Sequence, residues 1–89
     1  MRRLNGLPEA TGNCALAYAQ KGDIDSSLML FKELFSSHPD FINCAANYGV
    51  LLMAANQFKT AQEVFKKGLE YYPDDTVLRK GLEKVKSAP

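Results

Sequence analysis

The sequence contains no tryptophan, one histidine and only two cysteines among its 89 residues. Cys14 and Cys44 each lie in an apolar segment and are too few for a disulfide framework, so both are predicted to be buried free thiols. No cluster of cysteine and histidine has the spacing of a zinc site, and no glycine-rich phosphate loop occurs. We therefore expect the chain to hold no metal and no cofactor.

Long apolar runs and an excess of one charge are also absent. No stretch approaches the length of a membrane span or of a signal peptide. The net charge is +1, with four basic and five acidic residues in positions 1–45 and seven and five in positions 46–89. Such a balance gives little attraction for nucleic acid or acidic lipid. Because free thiols favour a reducing compartment, the expected location is cytoplasmic, with no nucleic-acid partner and no membrane partner.

Side chains that could carry catalysis are scarce. His38 is the only histidine, and its position beside Pro39 predicts a solvated loop residue. Asp23 and Asp25 stand at the start of a predicted helix, where carboxylates cap the backbone and favour the helix dipole. No nucleophile with a neighbouring base and no separate carboxylate pair remains, so we expect that the chain is not an enzyme.

The sequence does contain an internal repeat. The segment GDIDSSLMLFKELFSSHPD at positions 22–40 is matched in pattern by NQFKTAQEVFKKGLEYYPD at positions 56–74. The pairs that lie 34 positions apart include Phe31 with Phe65, Pro39 with Pro73 and Asn13 with Asn47. A fixed period of this length indicates a solenoid, in which one supersecondary unit is used repeatedly.

The apolar spacing within each unit predicts helices. Ile24, Leu28, Phe31 and Phe35 follow one another at intervals of four, three and four, which places them on one helical face. No sustained alternation of apolar and polar residues predicts a strand. The first helix is predicted over positions 8–20 and the second begins at its cap Asp23 and ends before the proline. The remaining three are predicted over 41–55, 58–72 and 77–86.

This pattern resembles the tetratricopeptide repeat. The second unit follows the family closely, with Asn47, Gly49, Leu52, Phe58, Ala61, Phe65, Leu69 and Pro73 at the family's offsets and Asn56 at its usual glycine turn. The first unit departs from it, because Ser27 and Leu34 stand at usual alanines and Cys14 at a usual leucine. These departures suggest wider helix packing around Leu34.

The resemblance implies an all-α fold, a right-handed α-solenoid of five helices. Two antiparallel helix-turn-helix repeats would occupy residues 8–41 and 42–75, preceded by a flexible leader at 1–7. A C-terminal capping helix and tail would follow at 76–89. A helix that is apolar on one side and charged on the other can shield the last hydrophobic face of such an array.

By the same resemblance, the first helix of each unit lines a concave groove. The residues expected in this groove are Asn13, Leu16, Gln20, Asn43, Asn47, Val50, Met53, Ala54 and, from the cap, Lys84. A groove of small, neutral and apolar groups suits a helical or extended peptide. The implied function is a non-catalytic protein-interaction module with a protein or peptide partner.

Three alternatives are open at this stage. Asn13 and Asn47 match the asparagines of the two-carboxylate clamp of Hsp70/Hsp90 co-chaperones, but Glu9, Val77 and Gly81 stand where that clamp has basic residues. The charge-assisted bonds of such a clamp are therefore disfavoured. The segment could instead be a structural one, which forms a homodimer or joins further repeats of a longer chain. An RNA-binding pentatricopeptide-like repeat is disfavoured by the 34-residue period and the near-neutral charge.

Overall fold

The computed structural model describes residues 8–41 and 43–87, and these residues form five α-helices and no strand. The helices are α1 (Pro8–Gln20), α2 (Ile24–Ser37), α3 (Cys44–Ala54), α4 (Phe58–Tyr71) and α5 (Thr76–Ser87). The all-α repeat fold and the five helices expected from the sequence are therefore confirmed. The expected leader at 1–7 lies outside the described residues.

The helices pack as two hairpins and a fifth helix. In the first hairpin α1 packs on α2, and in the second α3 packs on α4. Contacts between α2 and α3 join the two hairpins. α5 packs on α4 and also contacts α3. The resulting body is elongated, with principal extents of 44 × 27 × 16 Å. Its shape follows from stacking units along one direction, in which each unit contacts only its neighbours.

Tight turns separate the two helices of each hairpin. Gly22 has a φ of 93° and Asn56 a φ of 64°, so both turns contain a residue in the left-handed region, in agreement with the glycine-type turn expected at Asn56. Asp23 then caps α2, because its side chain accepts a hydrogen bond of 3.1 Å from the backbone N–H three positions on. Asp75 does the same for α5 at 3.0 Å. The predicted cap at Asp23 is thus confirmed.

The start of α3 differs from the prediction. The sequence pattern placed it near Phe41, but the helix begins at Cys44. Asn43 precedes it with a φ of 66°, a left-handed backbone conformation that cannot continue a right-handed helix. The backbone N–H of Cys44 bonds to the carbonyl of Phe41 instead, at 3.0 Å. Asn43 is therefore a turn residue at the helix N-terminus.

The centre of the second half of the molecule is the ring of Phe65, which is 0% exposed. Gly49 of α3 and Gly81 of α5 both lie against this ring. A methyl group added at either glycine would lie 2.5 Å from a ring carbon of Phe65. Glycine in a helix interior costs about 1 kcal/mol relative to alanine, and here that cost permits three helices to meet around one aromatic side chain.

A hydrogen bond connects the two repeats far from this core. The hydroxyl of Tyr72, directly after α4, donates to the backbone carbonyl oxygen of Asp40, in the loop between α2 and α3. The bond ties the end of the second hairpin to the loop that leads into it. The loop of residues 38–41 is thereby positioned from both repeats.

Ser27 is a buried polar residue at a position where the tetratricopeptide pattern usually has alanine. It is 0% exposed, and its hydroxyl oxygen has no hydrogen-bond partner among the described residues. A buried hydroxyl without a partner costs free energy, and alanine is also the better helix former. Ser27→Ala is expected to raise the free energy of unfolding by about 1 kcal/mol, measured by urea denaturation.

The matched control is Ser36→Ala, because Ser36 is exposed on the same helix. Exposed substitutions of this kind are expected to change stability by less than about 0.5 kcal/mol. A Ser27→Ala variant that unfolds at lower urea than the wild type would show that the hydroxyl makes a bond in solution.

Candidate functional site

An open cavity of about 200 Å³ lies between α1, α2 and α3. The residues that line it are Gly12, Asn13, Leu16, Phe31, Leu34, Phe41, Asn43, Cys44 and Asn47. α1 and α3 supply its two side walls. Between them, α2 supplies one aromatic side chain, Phe31, and one aliphatic side chain, Leu34. The cavity is therefore built at the junction of the two repeats.

The inner part of the cavity is apolar and the outer part is polar. Phe31, Leu34 and Cys44 are buried, and they form its inner wall. Asn13 and Asn43 are exposed at its rim, and Asn47 is half-buried. No charged residue is among the described residues that line it. The inner residues are 1–3% exposed, so the accessible part of the cavity is its rim, which offers neutral carboxamides beside the partly exposed side chains of Leu16 and Phe41.

Helical spacing explains how the rim is built. Leu16 follows Gly12 by four positions on α1, and such residues lie on one face of a helix. Asn47 follows Asn43 by four positions at the start of α3. Asn43 precedes the first residue of α3, yet its side chain makes no cap hydrogen bond. Its carboxamide is therefore free to interact at the rim.

The structure brings together four of the nine predicted groove residues, namely Asn13, Leu16, Asn43 and Asn47. The others lie elsewhere. Three others, Gln20, Val50 and Ala54, are exposed outside the cavity. The side chain of Val50 is 52% exposed. Met53 is half-buried and packs against the hydrophobic core. Lys84 borders a separate shallow depression on α5, with Lys80, Glu83 and Ser87.

Sequence reasoning missed the residues that make the inner part of the cavity. Gly12, Phe41 and Cys44 were not expected to line a binding surface, and Phe31 was expected only in the core. One signal was available in Leu34, which replaces a usual alanine and suggested wider packing. Leu34 does line the cavity. The contribution of Gly12 depends on contacts between helices that no local pattern encodes.

Side chains elsewhere that could take part in catalysis or metal binding do not cluster among the described residues. His38 is half-buried, so the expectation of a solvated residue is wrong, and its Nδ1 atom is buried without a partner within the described part of the chain. Across residues 8–41 and 43–87, no group of three metal-ligating side chains could hold an ion. No helix in the same ranges is long and apolar enough to cross a membrane.

Cys44 at the cavity wall is protonated at neutral pH. Its burial raises the pKa of the thiol from 9.0 to about 12. The pKa of Tyr48, one turn further along α3, is raised by its own burial and then by the charge that Cys44 would carry. A thiolate is the nucleophilic form of cysteine, so the raised pKa disfavours reaction of Cys44.

The raised thiol pKa predicts alkaline destabilisation. Above pH 9 the unfolded chain loses the Cys44 proton while the folded chain keeps it up to about pH 12. Because the folded state then binds more protons, the free energy of unfolding falls as pH rises through this range. Denaturant titrations above pH 9 should show a smaller fall for Cys44→Ala than for the wild type. Equal falls would contradict a buried, protonated thiol.

Comparison with known proteins connects this geometry with a family. A sequence profile described as the tetratricopeptide repeat matches residues 18–85. The "Small glutamine-rich tetratricopeptide repeat-containing protein 2" of Mycosarcoma maydis is 32% identical over 75 residues, which cover 84% of this chain. The chain spans 21% of that relative's length.

Both findings agree with the hairpins, the glycine-type turns and the buried phenylalanines described above. The matched segment extends from the last turn of α1 to the last turn of α5, and so includes most of the chain. The family is a protein-interaction scaffold family whose members are generally non-enzymatic. The chain therefore belongs to the tetratricopeptide repeat family and is a repeat module of the protein-interaction type.

Proposed function

We propose that the chain binds a helical or extended peptide along the face formed by α1 and α3 and has no catalytic activity. The observation that carries this proposal is the cavity at the repeat junction, which Asn13, Leu16, Asn43 and Asn47 line together. An apolar recess beside several carboxamides supports peptide binding through side-chain burial and backbone hydrogen bonds. The partner is accordingly a protein or peptide, and no cofactor is required.

The proposed groove extends from the cavity along the exposed groups of the same helices. Val50, on α3, exposes about half of its surface, and Gln20 and Ala54 are exposed near the ends of α1 and α3. Lys84 of α5 would contact a ligand only if the ligand extends past α3. Apolar groups that are exposed on a helix face are candidates for contact with a partner.

Capture of a C-terminal carboxylate by a clamp of basic residues is not part of this proposal. Val77 stands at one of the positions where the clamp has a basic residue, and Gly81 at another. Gly81 is buried against the Phe65 ring, so no cation could be placed there without displacing that ring. A peptide carboxylate near Asn13 and Asn47 would lack the cations that make such bonds strong.

The proposal can be tested with peptides selected from a displayed library against the folded chain. Affinity for a selected peptide is then measured by calorimetry for the wild type, Asn47→Ala and Val50→Glu. Each groove variant is expected to weaken binding by about tenfold or more, which is 1.4 kcal/mol. The control is Met29→Glu on α2, because Met29 is 65% exposed and does not line the cavity.

Equal affinities for the wild type and both groove variants would overturn the proposal. Weakening by Met29→Glu that matches Val50→Glu would also overturn it, because binding would then use the opposite side of the first hairpin or depend on charge alone. A circular-dichroism spectrum of each variant separates lost binding from lost structure.

A second candidate function is assembly with further repeats or with another copy of the chain. Positions 10–20 of α1 carry no charged residue, and Leu16, Ala17 and Tyr18 are exposed there. The relative is about five times as long as the matched segment, in keeping with additional units in a longer protein. Sedimentation at several concentrations tests self-association, which Ala17→Glu should reduce. A monomer at all concentrations would exclude the homodimer.

A further inference from the structure

We infer that Tyr72 is a positioning residue for the candidate site. Its hydroxyl, placed by the second hairpin, holds the loop between α2 and α3 from which Phe41 and Asn43 reach the rim of the cavity. This inference rests on the proposed function, because it concerns residues that a bound peptide would meet. It goes further, because Tyr72 itself does not line the cavity. The shape of the rim then depends on the second hairpin as well as on the helices beside it.

The accessible rim of the cavity is built partly from helices and partly from a loop. Asn13, Leu16 and Asn47 belong to α1 and α3, so the backbone of a helix fixes where their side chains begin. Phe41 and Asn43 belong to the loop before α3. Side chains on loops are placed less precisely than side chains on helices unless other contacts support the loop. The loop therefore needs support if the rim is to keep one shape.

The backbone hydrogen bonds of the loop join only residues that are close in sequence. The N–H of Phe41 donates to the carbonyl of His38 at 3.0 Å, and the N–H of Cys44 donates to the carbonyl of Phe41, also at 3.0 Å. The ring of Phe41 packs against the hydrophobic core, so Asn43 is the rim residue that depends most on the loop backbone. Its φ of 66° is uncommon outside glycine and persists only where the surrounding structure enforces it.

Tyr72 supplies a contact from a distant part of the chain. Its hydroxyl donates to the backbone carbonyl oxygen of Asp40, which lies 32 positions earlier and directly before Phe41. The backbone of Tyr72 is itself fixed, because its N–H donates to the carbonyl of Gly68 at 2.9 Å. Gly68 lies close against α3, since a methyl group added there would lie 2.6 Å from the methyl group of Ala45. The loop is thus tied to a closely packed part of the second hairpin.

The repeat itself does not require a tyrosine at this position. Tyr72 ends α4 with a φ of −132° and a ψ of 73°, and His38, 34 positions earlier, ends α2 with a φ of −137° and a ψ of 66°. Two different side chains therefore accompany the same backbone conformation. Tyrosine has only two side-chain torsions, so it holds its hydroxyl in place at a low cost in conformational entropy.

Removal of the hydroxyl alone tests the inference without any partner. Tyr72→Phe keeps the ring and loses the donor. The protection factors of the Phe41 and Cys44 amides against hydrogen exchange, measured by NMR, should fall by about two- to tenfold. The carboxamide signals of Asn43 should shift. Because the bond is exposed, water replaces it, and the urea midpoint should hardly change. A general loss of structure would instead lower the midpoint and the protection of every helix.

Two matched controls leave the bond intact. Tyr71→Phe removes a neighbouring exposed hydroxyl that makes no hydrogen bond among the described residues. Asp40→Ala removes a carboxylate but keeps the backbone carbonyl that accepts the bond. Both variants should keep the wild-type protection factors at Phe41 and Cys44. If Asp40→Ala lowers them as much as Tyr72→Phe does, the carbonyl is not the acceptor that holds the loop, and the inference fails.

Affinity for the selected peptide adds a readout of binding. Tyr72→Phe should weaken binding by about two- to tenfold in calorimetry, and Tyr71→Phe should leave it unchanged. Weaker binding with unchanged protection of the loop would mean that Tyr72 touches the peptide directly, which would overturn the positioning role. Unchanged protection at Phe41 and Cys44 in Tyr72→Phe would overturn it whatever the affinity.

Failure of this inference and failure of the proposed function can be distinguished. If Asn47→Ala and Val50→Glu weaken binding, and Tyr72→Phe loosens the loop without weakening it, the groove stands and the positioning role fails. If Asn47→Ala and Val50→Glu bind as the wild type does, the proposed groove fails and the positioning role fails with it, even where Tyr72→Phe loosens the loop.

Discussion

Replacing Phe65 with alanine is expected to lower the free energy of unfolding by about 3 to 5 kcal/mol. The side chain is 0% exposed, and α3, α4 and α5 meet around its ring. Truncation would leave a void that glycines 49 and 81 cannot fill, because they have no side chains. A domain of this size has only about 4 to 13 kcal/mol of stability in total. The variant should therefore unfold at a much lower temperature and urea concentration than the wild type.

Two controls separate packing from other effects of the substitution. Phe65→Leu keeps most of the volume and should cost clearly less than Phe65→Ala. Met29→Ala removes a side chain that is 65% exposed and should change stability by less than about 0.5 kcal/mol. A Phe65→Ala melt close to that of Met29→Ala would contradict the central role of the ring.

Adding a methyl group at Gly49 is expected to destabilise the protein by about 1 to 3 kcal/mol, although alanine is the better helix former. The methyl group would lie 2.5 Å from two ring atoms of Phe65. The ring cannot move aside freely, because Gly81 of α5 packs closely on it: a methyl group placed at Gly81 would also lie 2.5 Å from a ring carbon. Urea denaturation of Gly49→Ala measures this effect.

Gly12→Ala is the matched control, because the same chemical change there makes only ordinary van der Waals contacts. Its methyl group would lie 3.7 Å from the nearest side-chain atom, an ordinary contact distance. Removing a glycine from the interior of α1 should then raise stability by up to about 1 kcal/mol. A second check is the pair Gly49→Ala with Phe65→Leu, in which the smaller side chain should relieve the clash. Equal effects at positions 49 and 12 would contradict the packing described.

Much of the fold could be predicted from the sequence because its signals are local and repeated. The 34-residue period and the apolar spacing located five helices, and Gly22, Asn56 and Asp23 marked turns and a cap through their own backbone and side-chain chemistry. The start of α3 could not be found in this way. The sequence alone does not show whether Asn43 lies in the helix or in the turn before it. Its left-handed conformation depends on how the preceding loop is positioned.

The candidate site was predictable in part for a similar reason. Asn13 and Asn47 could be identified because they lie one period apart and on the first helix of each unit. The cavity beside them could not, since it results from the volumes of residues on three helices. Gly12 contributes no side-chain volume beside Leu34 and Phe41, which also line the cavity. Such a deficit of volume is visible only when the helices are placed together.

The packing of α1 has a consequence for the two walls of the cavity. α1 packs mainly on α2, whereas α3 contacts α2, α4 and α5. An element that packs on one main neighbour opens by local unfolding at a lower free energy than one that packs on three. The wall of the cavity that α1 forms should therefore move more readily than the wall that α3 forms. A ligand that bridges them would slow hydrogen exchange of the α1 amides first, since binding stabilises the closed state by mass action.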